Sequence, residues 1–472
     1  MVKHENKNTS PAIQNKDVDP TDAEPTKAAV IVPILPERYS SGTTSEEAVK
    51  PQLQRSNEAR LEEAVGLARA INLNIVHAES VIVNAPRPAT LLGTGKVEAI
   101  AELVEEKAIE LVIVDHSLTP VQQRNLEKEW NVKVIDRTGL ILEIFGERAR
   151  TKEGTLQVEL AHLNYQKGRL VRSWTHLERQ RGGSGFLGGP GETQIEADRR
   201  MLQEKILRIK RELETVVRTR NLHRQKRRKV PYPIVALVGY TNAGKSTLFN
   251  RMTGAEVLAE DMLFATLDPT LRRIRLPHGE TVILSDTVGF ISNLPHHLVA
   301  AFRATLEEVV EADLILHVRD ISDPDNAAQS EDVESILTSL GIEAQDRHRV
   351  IEVWNKIDNL DEAGREAALR LAAAGNEEGR PIPLSALTGE GVDRLLSQIE
   401  TRIAGTLSTV EVLLSPFELQ ILDWIYQHGS DVEREDLEDG SVRLRARLTE
   451  NAQRILNEKR GIKPVDRDPE LD

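Results

Sequence analysis

The sequence predicts an α/β protein of several domains: an N-terminal parallel α/β domain, a helical hairpin, a doubly wound α/β domain and a small α+β C-terminal domain. At 472 residues the chain has room for roughly three domains of ordinary size. Short apolar runs alternate with helical patterns, which is typical of parallel strands joined by crossover helices. Two long helical patterns flank a glycine-rich segment in mid-chain and predict the hairpin.

Composition narrows the classes of function. The net charge of -14 argues against a chain that coats nucleic acid with its whole surface, although an acidic total can conceal a basic segment. The absence of cysteine excludes disulfides, thiolate metal sites and cysteine nucleophiles, and it suits a reducing compartment. The chain has no run of about 18 apolar residues and no secretory signal, so we expect a cytoplasmic protein without a membrane span.

The first part of the chain predicts a tail and a domain. Residues 1–27 are polar, charged and interrupted by proline, which predicts a disordered tail. Residues 28–150 predict the N-terminal α/β domain, because strand and helix patterns alternate there: AAVIVPIL, NIVHAESVIV, VEAIAELVEEKAI, ELVIVDHS, VQQRNLEKEW and VKVIDRT. Within it, LLGTGKVEAI lacks the spacing of a phosphate loop, and we interpret it as a turn before a helix.

The helical hairpin is predicted for residues 151–229. Its first helix has leucines at approximately helical intervals from Leu156 to Leu177, and its second has an apolar stripe from Ile195 to Val216 that includes Met201. The second helix is also basic, with thirteen Lys or Arg against five Asp or Glu between residues 196 and 229. This excess favours a polyanionic partner, and the alternative is a solvated coiled-coil spacer.

A phosphate-binding loop follows in PIVALVGYTNAGKSTLFN. An apolar, β-rich run leads into G-x-x-x-x-G-K-[ST] at residues 239–246, and a helix can begin at once. We expect the backbone N–H groups of residues 242–246 to surround the β-phosphate, Lys245 to reach the β- and γ-oxygens, and the Ser246 hydroxyl to hold Mg²⁺. The glycine-rich segment at residues 182–191 follows a helix and has no Gly-Lys-Ser, so we interpret it as the tip of the hairpin.

The segment VILSDTVG predicts the part of the site that senses the γ-phosphate. Its strand ends in Asp286, which is suited to the Mg²⁺ shell, and the N–H of Gly289 can meet a γ-phosphate.

Two further segments predict recognition of guanine. VIEVWNKID leads to Asn355, Lys356 and Asp358, and the Asp358 carboxylate can accept both N–H groups on the edge of guanine, which adenine lacks. PIPLSALTGEGV supplies Ser385 and Ala386, whose backbone N–H groups can contact the guanine carbonyl.

Together these motifs resemble the G domain of translation-factor-related GTPases over residues 230–404, and they predict a P-loop GTPase. FATLDPTLRRI resembles the first switch of the HflX family, as does GPGETQIEADRR after the glycine-rich segment. The similarity to that family spans residues 28–404. It implies that Thr266 is the second magnesium ligand, with Thr270 as the competitor.

We therefore expect GTP or GDP as the nucleotide and Mg²⁺ as the cofactor, with Ser246 and, as the resemblance implies, Thr266 as the metal ligands. The predicted nucleotide-binding residues are Gly239, Tyr240, Thr241, Asn242, Ala243, Gly244, Lys245, Ser246, Phe264, Ala265, Thr266, Leu267, Asp268, Asp286, Thr287, Val288, Gly289, Asn355, Lys356, Ile357, Asp358, Ser385, Ala386 and Leu387.

The catalytic group stays unknown at this level. Many relatives in the GTPase superfamily carry a glutamine after the DTVG motif that orients the attacking water, and this chain has Phe290 there. A phenyl ring has no such hydrogen bonds to offer, so we expect it to point away from the nucleophile and unaided hydrolysis to be slow.

Residues 405–472 predict the small α+β domain, with the order strand, helix, strand, helix and no readable chemistry. The resemblance implies a monomeric GTPase whose hairpin reaches into the large ribosomal subunit, contacting its RNA and proteins, and which splits or rescues stalled ribosomes. The alternatives are an NTP-dependent RNA-remodelling or ribosome-assembly factor and a GTP-controlled protein-binding switch.

Overall fold

The computed structural model describes residues 25–36, 55–180, 190–227, 232–254, 264, 269–292, 303–374 and 379–460. The predicted tail lies outside this part of the chain as far as residue 24, and the first strand begins at Lys27. None of the helices in these ranges is long and apolar enough to cross a membrane.

The N-terminal domain is an α/β unit whose four strands are all parallel, in the order β2-β1-β3-β4. Strand β3 is fully buried, which explains why it is apolar throughout. The predicted parallel fold is confirmed, and two helices, α1 and α4, add to the predicted elements. The elements are β1 (Lys27–Ile34), α1 (Asn57–Arg69), β2 (Asn74–Ile82), α2 (Thr94–Glu106), β3 (Leu111–Val114), α3 (Pro120–Trp130), β4 (Lys133–Asp136) and α4 (Arg137–Arg148).

The hairpin consists of α5 (Lys152–Gln180) and α6 (Pro190–Arg227). Their contact is a small apolar core formed by Leu156, Leu163, Ile206 and Ile209. Met201 was wrongly placed in the apolar stripe: it is 61% exposed. Successive helical residues point about 100° apart, so Met201 and its half-buried neighbour Leu202 cannot both face α5. The predicted tip at residues 182–191 lies outside the described residues up to residue 189.

The third unit is a six-stranded sheet in the order β10-β9-β8-β5-β7-β6, in which only β6 is antiparallel. Alternate residues of its central strand enter different apolar cores, so both faces are covered and the predicted doubly wound sheet is confirmed. The elements are β5 (Ile234–Gly239), α7 (Lys245–Thr253), β6 (Thr270–Arg275), β7 (Thr281–Asp286), α8 (Arg303–Val310), β8 (Leu314–Asp320), α9 (Asn326–Ser339), β9 (Val350–Asn355), a 3-10 turn (Ile357–Asn359), α10 (Glu362–Ala374), β10 (Ile382–Pro383) and α11 (Val392–Ala404).

The C-terminal domain is α+β, but it has one strand more than predicted. Its sheet is antiparallel in the order β11-β13-β12. Strand β12 was missed because its sequence GSDVERED is charged and nearly free of apolar residues; it is held at the sheet edge by pairing with β13 and by ion pairs such as Arg443–Glu435, at 2.7 Å. The elements are β11 (Leu407–Leu414), a 3-10 turn (Leu419–Ile421), α12 (Leu422–His428), β12 (Gly429–Asp436), β13 (Val442–Thr449) and α13 (Glu450–Lys459).

The N-terminal domain and the six-stranded unit share one apolar core. The Phe145 ring of α4 meets the Phe264 ring edge to face, with their centroids 4.8 Å apart, and Phe290 is buried in the same cluster. This shared core places the carboxyl edge of the N-terminal sheet against the start of the phosphate-binding loop. The domain limits drawn from the sequence stay predictions.

Candidate nucleotide site

The phosphate-binding loop joins the end of β5 to the start of α7, as the sequence pattern predicts. Two of its positions require glycine. Gly239 has φ 156° and lies against the backbone of Val318, and Gly244 has φ 88° and lies against the side chain of Asn355. The loop therefore leads to the N-terminus of α7, which has no side-chain cap and where the helix dipole and the backbone N–H groups of the first turn favour an anion.

Lys245 is the buried cation of this loop. Its ammonium donates to the backbone oxygens of Tyr240, at 2.8 Å, and Gly239, at 3.2 Å. Burial lowers the pKa of Lys245 to about 8, although the nearby Asp286 carboxylate works in the opposite direction. The group is thus held where phosphate oxygens would arrive and is short of counter-charge.

Asp286, at the end of β7, is fully buried and accepts a hydrogen bond of 2.7 Å from the Ser246 hydroxyl. Gly289 lies directly against the loop, because a Cβ there would come within 2.8 Å of Thr241 Cγ2 and 3.1 Å of Lys245 Nζ. Residues 286–292, which we call the switch segment, are therefore packed onto the phosphate-binding loop. Within it, Thr287 is buried and donates to the Leu237 carbonyl, and Val288 is buried in the shared core.

Of the two predicted magnesium ligands, Ser246 lies among the described residues. Ser246 and Asp286 together offer the hard oxygen donors that Mg²⁺ prefers. Across the described ranges no group of three or more His, Asp or Glu side chains could hold a metal ion. Of the predicted first switch, Phe264 is buried, whereas Ala265, Thr266, Leu267 and Asp268 lie outside the described residues. The competitor Thr270 begins β6 opposite Asp286.

Phe290 is tied to the loop through its backbone. Its N–H donates to the Gly239 carbonyl at 3.1 Å, and its own carbonyl accepts from the Thr241 N–H at 2.7 Å. The side chain is only 1% exposed and is packed in the core shared with the N-terminal domain. The phenyl ring therefore serves domain packing.

Asn355 holds the two ends of the site together. Its side chain donates to the Ala243 carbonyl at 2.8 Å and accepts from the Ala386 N–H at 2.9 Å. Lys356 adopts a left-handed conformation with φ 66°, and its ammonium pairs with Asp320 at 2.7 Å. Ile357, the first residue of the 3-10 turn, is buried.

Asp358 presents the observation that points most directly to a base. Its Oδ1 is buried and has no hydrogen-bond partner among the described residues. An unsatisfied buried carboxylate oxygen is costly, and N–H groups of a ligand would satisfy it.

The loop at residues 385–388 corrects one expectation. The Ser385 N–H donates to Glu390 O at 2.9 Å, and the Ala386 N–H donates to Asn355, so both groups already have acceptors within the protein. The next residue, Leu387, is 69% exposed. Sequence reasoning also missed Arg251 on α7, whose guanidinium donates to the carbonyls of Ala386, at 3.2 Å, and Leu387.

Sequence reasoning also missed a contact from the N-terminal domain. Glu63 and Arg137 bind Ser292 of the switch segment, and Glu63 accepts from the Tyr240 hydroxyl of the phosphate-binding loop. No motif signals these groups, because folding brings them together from 155 to 229 positions apart.

Four segments of the chain match family models. Residues 58–146 match "GTP-binding GTPase N-terminal", residues 148–227 match "GTP-binding GTPase Middle Region", residues 234–356 match "50S ribosome-binding GTPase", and residues 370–471 match "HflX C-terminal domain".

The chain is also similar to proteins named GTPase HflX from several bacteria. It is 51% identical to that of Magnetococcus marinus over 397 residues, which cover 83% of this chain and 89% of the relative. It is 45% identical to that of Escherichia coli over 420 residues, which cover 87% of this chain and 95% of the relative.

Proposed function

The chain belongs to the HflX family of GTPases, and from this membership we propose that it binds the large ribosomal subunit and splits or rescues stalled ribosomes. In this proposal it hydrolyses GTP to GDP and phosphate, and the ribosome stimulates that turnover. The protein acts as a monomer in the cytoplasm.

The observation that carries the proposal is the exposed basic face of α6. The apolar residues Ile206 and Ile209 face α5, whereas the basic residues from Arg199 to Arg218 are exposed. The exposed basic residues are Arg199, Arg200, Lys205, Arg208, Lys210, Arg211 and Arg218. Exposed acidic residues lie between them and Lys205 pairs with Glu159, but over residues 196–229 thirteen Lys or Arg stand against five Asp or Glu. This local excess in a protein with net charge -14 favours a polyanion such as ribosomal RNA as the partner. The "50S ribosome-binding" description of the matched GTPase segment supports the same partner.

The nucleotide would lie along the carboxyl edge of the six-stranded sheet. The N–H groups at the start of α7 and the Lys245 ammonium bind the phosphates, and the Asp358 carboxylate binds the N–H edge of guanine. Because the N–H groups of Ser385 and Ala386 are engaged, we assign the guanine carbonyl to the N–H of Leu387.

Ser246 and Asp286 would hold Mg²⁺, either directly or through water, and Thr266 is proposed as the second ligand of the ion. Bound there, Mg²⁺ neutralises charge on the β- and γ-oxygens. With Phe290 buried in the shared core, no glutamine follows Gly289 to orient the attacking water. We therefore propose that ribosome binding completes the catalytic site, so that hydrolysis times release from the subunit.

The test is sedimentation of the full chain with purified large subunits, together with GTP turnover. We expect co-sedimentation with a non-hydrolysable GTP analogue, stimulation of turnover by subunits, and strong weakening of binding by salt. Replacing Arg199, Lys210 and Arg211 with Gln should weaken co-sedimentation with large subunits and leave GTP affinity unchanged. The matched control replaces Arg434, Arg443 and Arg445 of the C-terminal sheet. Fast turnover that subunits do not change would overturn the proposal, and salt-independent binding would indicate a protein surface as the partner.

A further inference from the structure

Ser292 ends the described part of the switch segment and makes four hydrogen bonds to groups brought together from three parts of the chain. Its N–H donates to the Tyr240 hydroxyl at 2.7 Å, and its hydroxyl donates to Glu63 Oε1 at 2.7 Å. Arg137 Nη2 donates to the carbonyl of Ser292 at 2.8 Å and to its hydroxyl at 3.0 Å. Both backbone groups and the side chain of one residue are thus fixed.

Glu63 is the centre of this cluster. Its carboxylate accepts from Arg55 and Arg137, both at 2.6 Å, and from the Tyr240 hydroxyl. Burial alone would raise the pKa of Glu63, but the two guanidinium groups outweigh it and lower the pKa to about 2. We call Glu63, Arg137, Tyr240 and Ser292 the clasp.

The clasp acts on a very short length of chain. Only two residues separate Ser292 from Gly289, the position expected to meet a γ-phosphate. One of them, Phe290, is hydrogen-bonded to the phosphate-binding loop through both its N–H and its carbonyl group. A segment held this tightly at one end cannot move freely at the other.

A neighbouring residue extends the contact to the hairpin. Asp136, next to Arg137 in sequence, accepts from Tyr165 and Arg169 of α5, both at 2.6 Å. The same carboxylate caps α4 through the Gly139 N–H at 2.8 Å. Adjacent residues at the end of β4 therefore hold the switch segment on one side and the hairpin on the other.

We infer that Glu63 and Arg137 of the N-terminal domain are positioning residues that hold the switch segment against the phosphate-binding loop, in the place where Gly289 can bind a γ-phosphate. Because the segment is already in place, a ligand with a γ-phosphate binds with higher affinity, whereas the affinity for GDP is not increased. By reciprocity, GTP strengthens the clasp, and Asp136 conveys that change to α5. The inference rests on the proposed phosphate site, and it does not require ribosome binding.

The test measures the affinity of the full chain for a non-hydrolysable GTP analogue and for GDP, by calorimetry or fluorescence. In Glu63→Gln, and in the milder Ser292→Ala, we expect affinity for the analogue to fall about five-fold or more while GDP affinity stays nearly constant. Asp332→Asn is the matched control: it removes the pair of Asp332 with Arg55, at 2.6 Å, which also joins the two domains but does not contact Ser292. Its ratio of affinities should match that of the wild type.

Hydrogen exchange supplies the second measurement. The analogue should protect the backbone of α5 in the wild type, and Tyr165→Phe should reduce that protection, with a fall in the ratio of affinities that is smaller than in the Ser292→Ala variant. Equal losses for analogue and GDP in Ser292→Ala, or the same change of ratio in Asp332→Asn, would show that the contact is only structural. If the wild type bound neither nucleotide, the phosphate site itself would be refuted; if it bound nucleotide but no ribosome, the clasp would stand.

Discussion

The phosphate end and the base end of the nucleotide site are built in different ways. At the phosphate end, Tyr240, Phe290 and Ser292 all contact the N-terminal domain. At the base end, the described contacts of Asn355 and of the loop at residues 385–388 come from the nucleotide-binding unit itself. The base end can therefore select the base without affecting the rest of the protein. The phosphate end, in contrast, cannot change its conformation without moving the N-terminal domain.

Burial separates the two ends in the same way. Lys245 and Asp286 are 6% and 0% exposed, whereas Leu387 is 69% exposed. Electrostatic interactions are stronger where water is excluded, so the phosphate end should respond to small changes of charge. The base end is more open, but Oδ1 of Asp358 is buried there and has no hydrogen-bond partner in the part of the chain that the structure describes.

The largest expected effect is a change of base specificity at the base end. Asp358→Asn replaces a carboxylate with an amide whose N–H₂ group opposes the N–H edge of guanine. We expect GTP affinity to fall on the order of 100-fold, because two charge-assisted hydrogen bonds are lost. Xanthine nucleotide, whose edge is complementary to an amide, should bind the variant better than GTP.

Competition binding with GTP and XTP measures this exchange. Asp361→Asn is the matched control, since Asp361 is exposed, lies three residues away and only accepts the Gly364 N–H at the start of α10, where Asn serves equally well. If the Asp358 variant bound GTP and XTP equally, the base assignment would be wrong.

A smaller effect is expected from Arg251, which supports the base loop from the phosphate-binding helix. Arg251→Ala should weaken GTP and GDP binding by the same factor, about three- to five-fold, because the lost hydrogen bonds to Ala386 and Leu387 are partly exposed. The ratio of GTP to GDP affinity should not change, in contrast to the clasp variants. Arg370→Ala, which removes exposed contacts with Glu366 on α10, is the control. A changed ratio would show that the two ends are not independent.

How far the sequence predicts these features depends on how local they are. The phosphate-binding loop lies within eight consecutive residues, and its strand and helix are adjacent to it, so the pattern predicts it well. The loop at residues 385–388 can be located from the sequence, but the acceptors of its N–H groups belong to Asn355 and Glu390 and could not be foreseen. Strand β12 has no apolar alternation that could reveal it in the sequence. It is held by pairing with β13 and not by burial.

The clasp could not be predicted because its members are individually unremarkable. Glu63 lies on a helix with several charged residues, NEARLEEAVGLAR, where a charged residue ordinarily indicates a solvated face. Tyr240 occupies a variable position of the phosphate-loop pattern, and the two are 177 positions apart. Only the packing of the N-terminal domain against the nucleotide-binding unit brings these two residues into contact.

The smallest expected effect is a fraction of a proton taken up at Lys245, and it tests whether the phosphate end is as enclosed as its burial indicates. Burial disfavours the ammonium form in the free protein, where the pKa of Lys245 is about 8, whereas phosphate oxygens favour that form and raise the pKa. Binding of GDP should therefore take up about half a proton at pH 8 and almost none at pH 7. Calorimetry in buffers of different ionisation enthalpy measures this uptake, and Arg251→Ala should retain it. Uptake that is the same at both pH values would mean that water already solvates Lys245, and the contrast between an enclosed phosphate end and an open base end would fail.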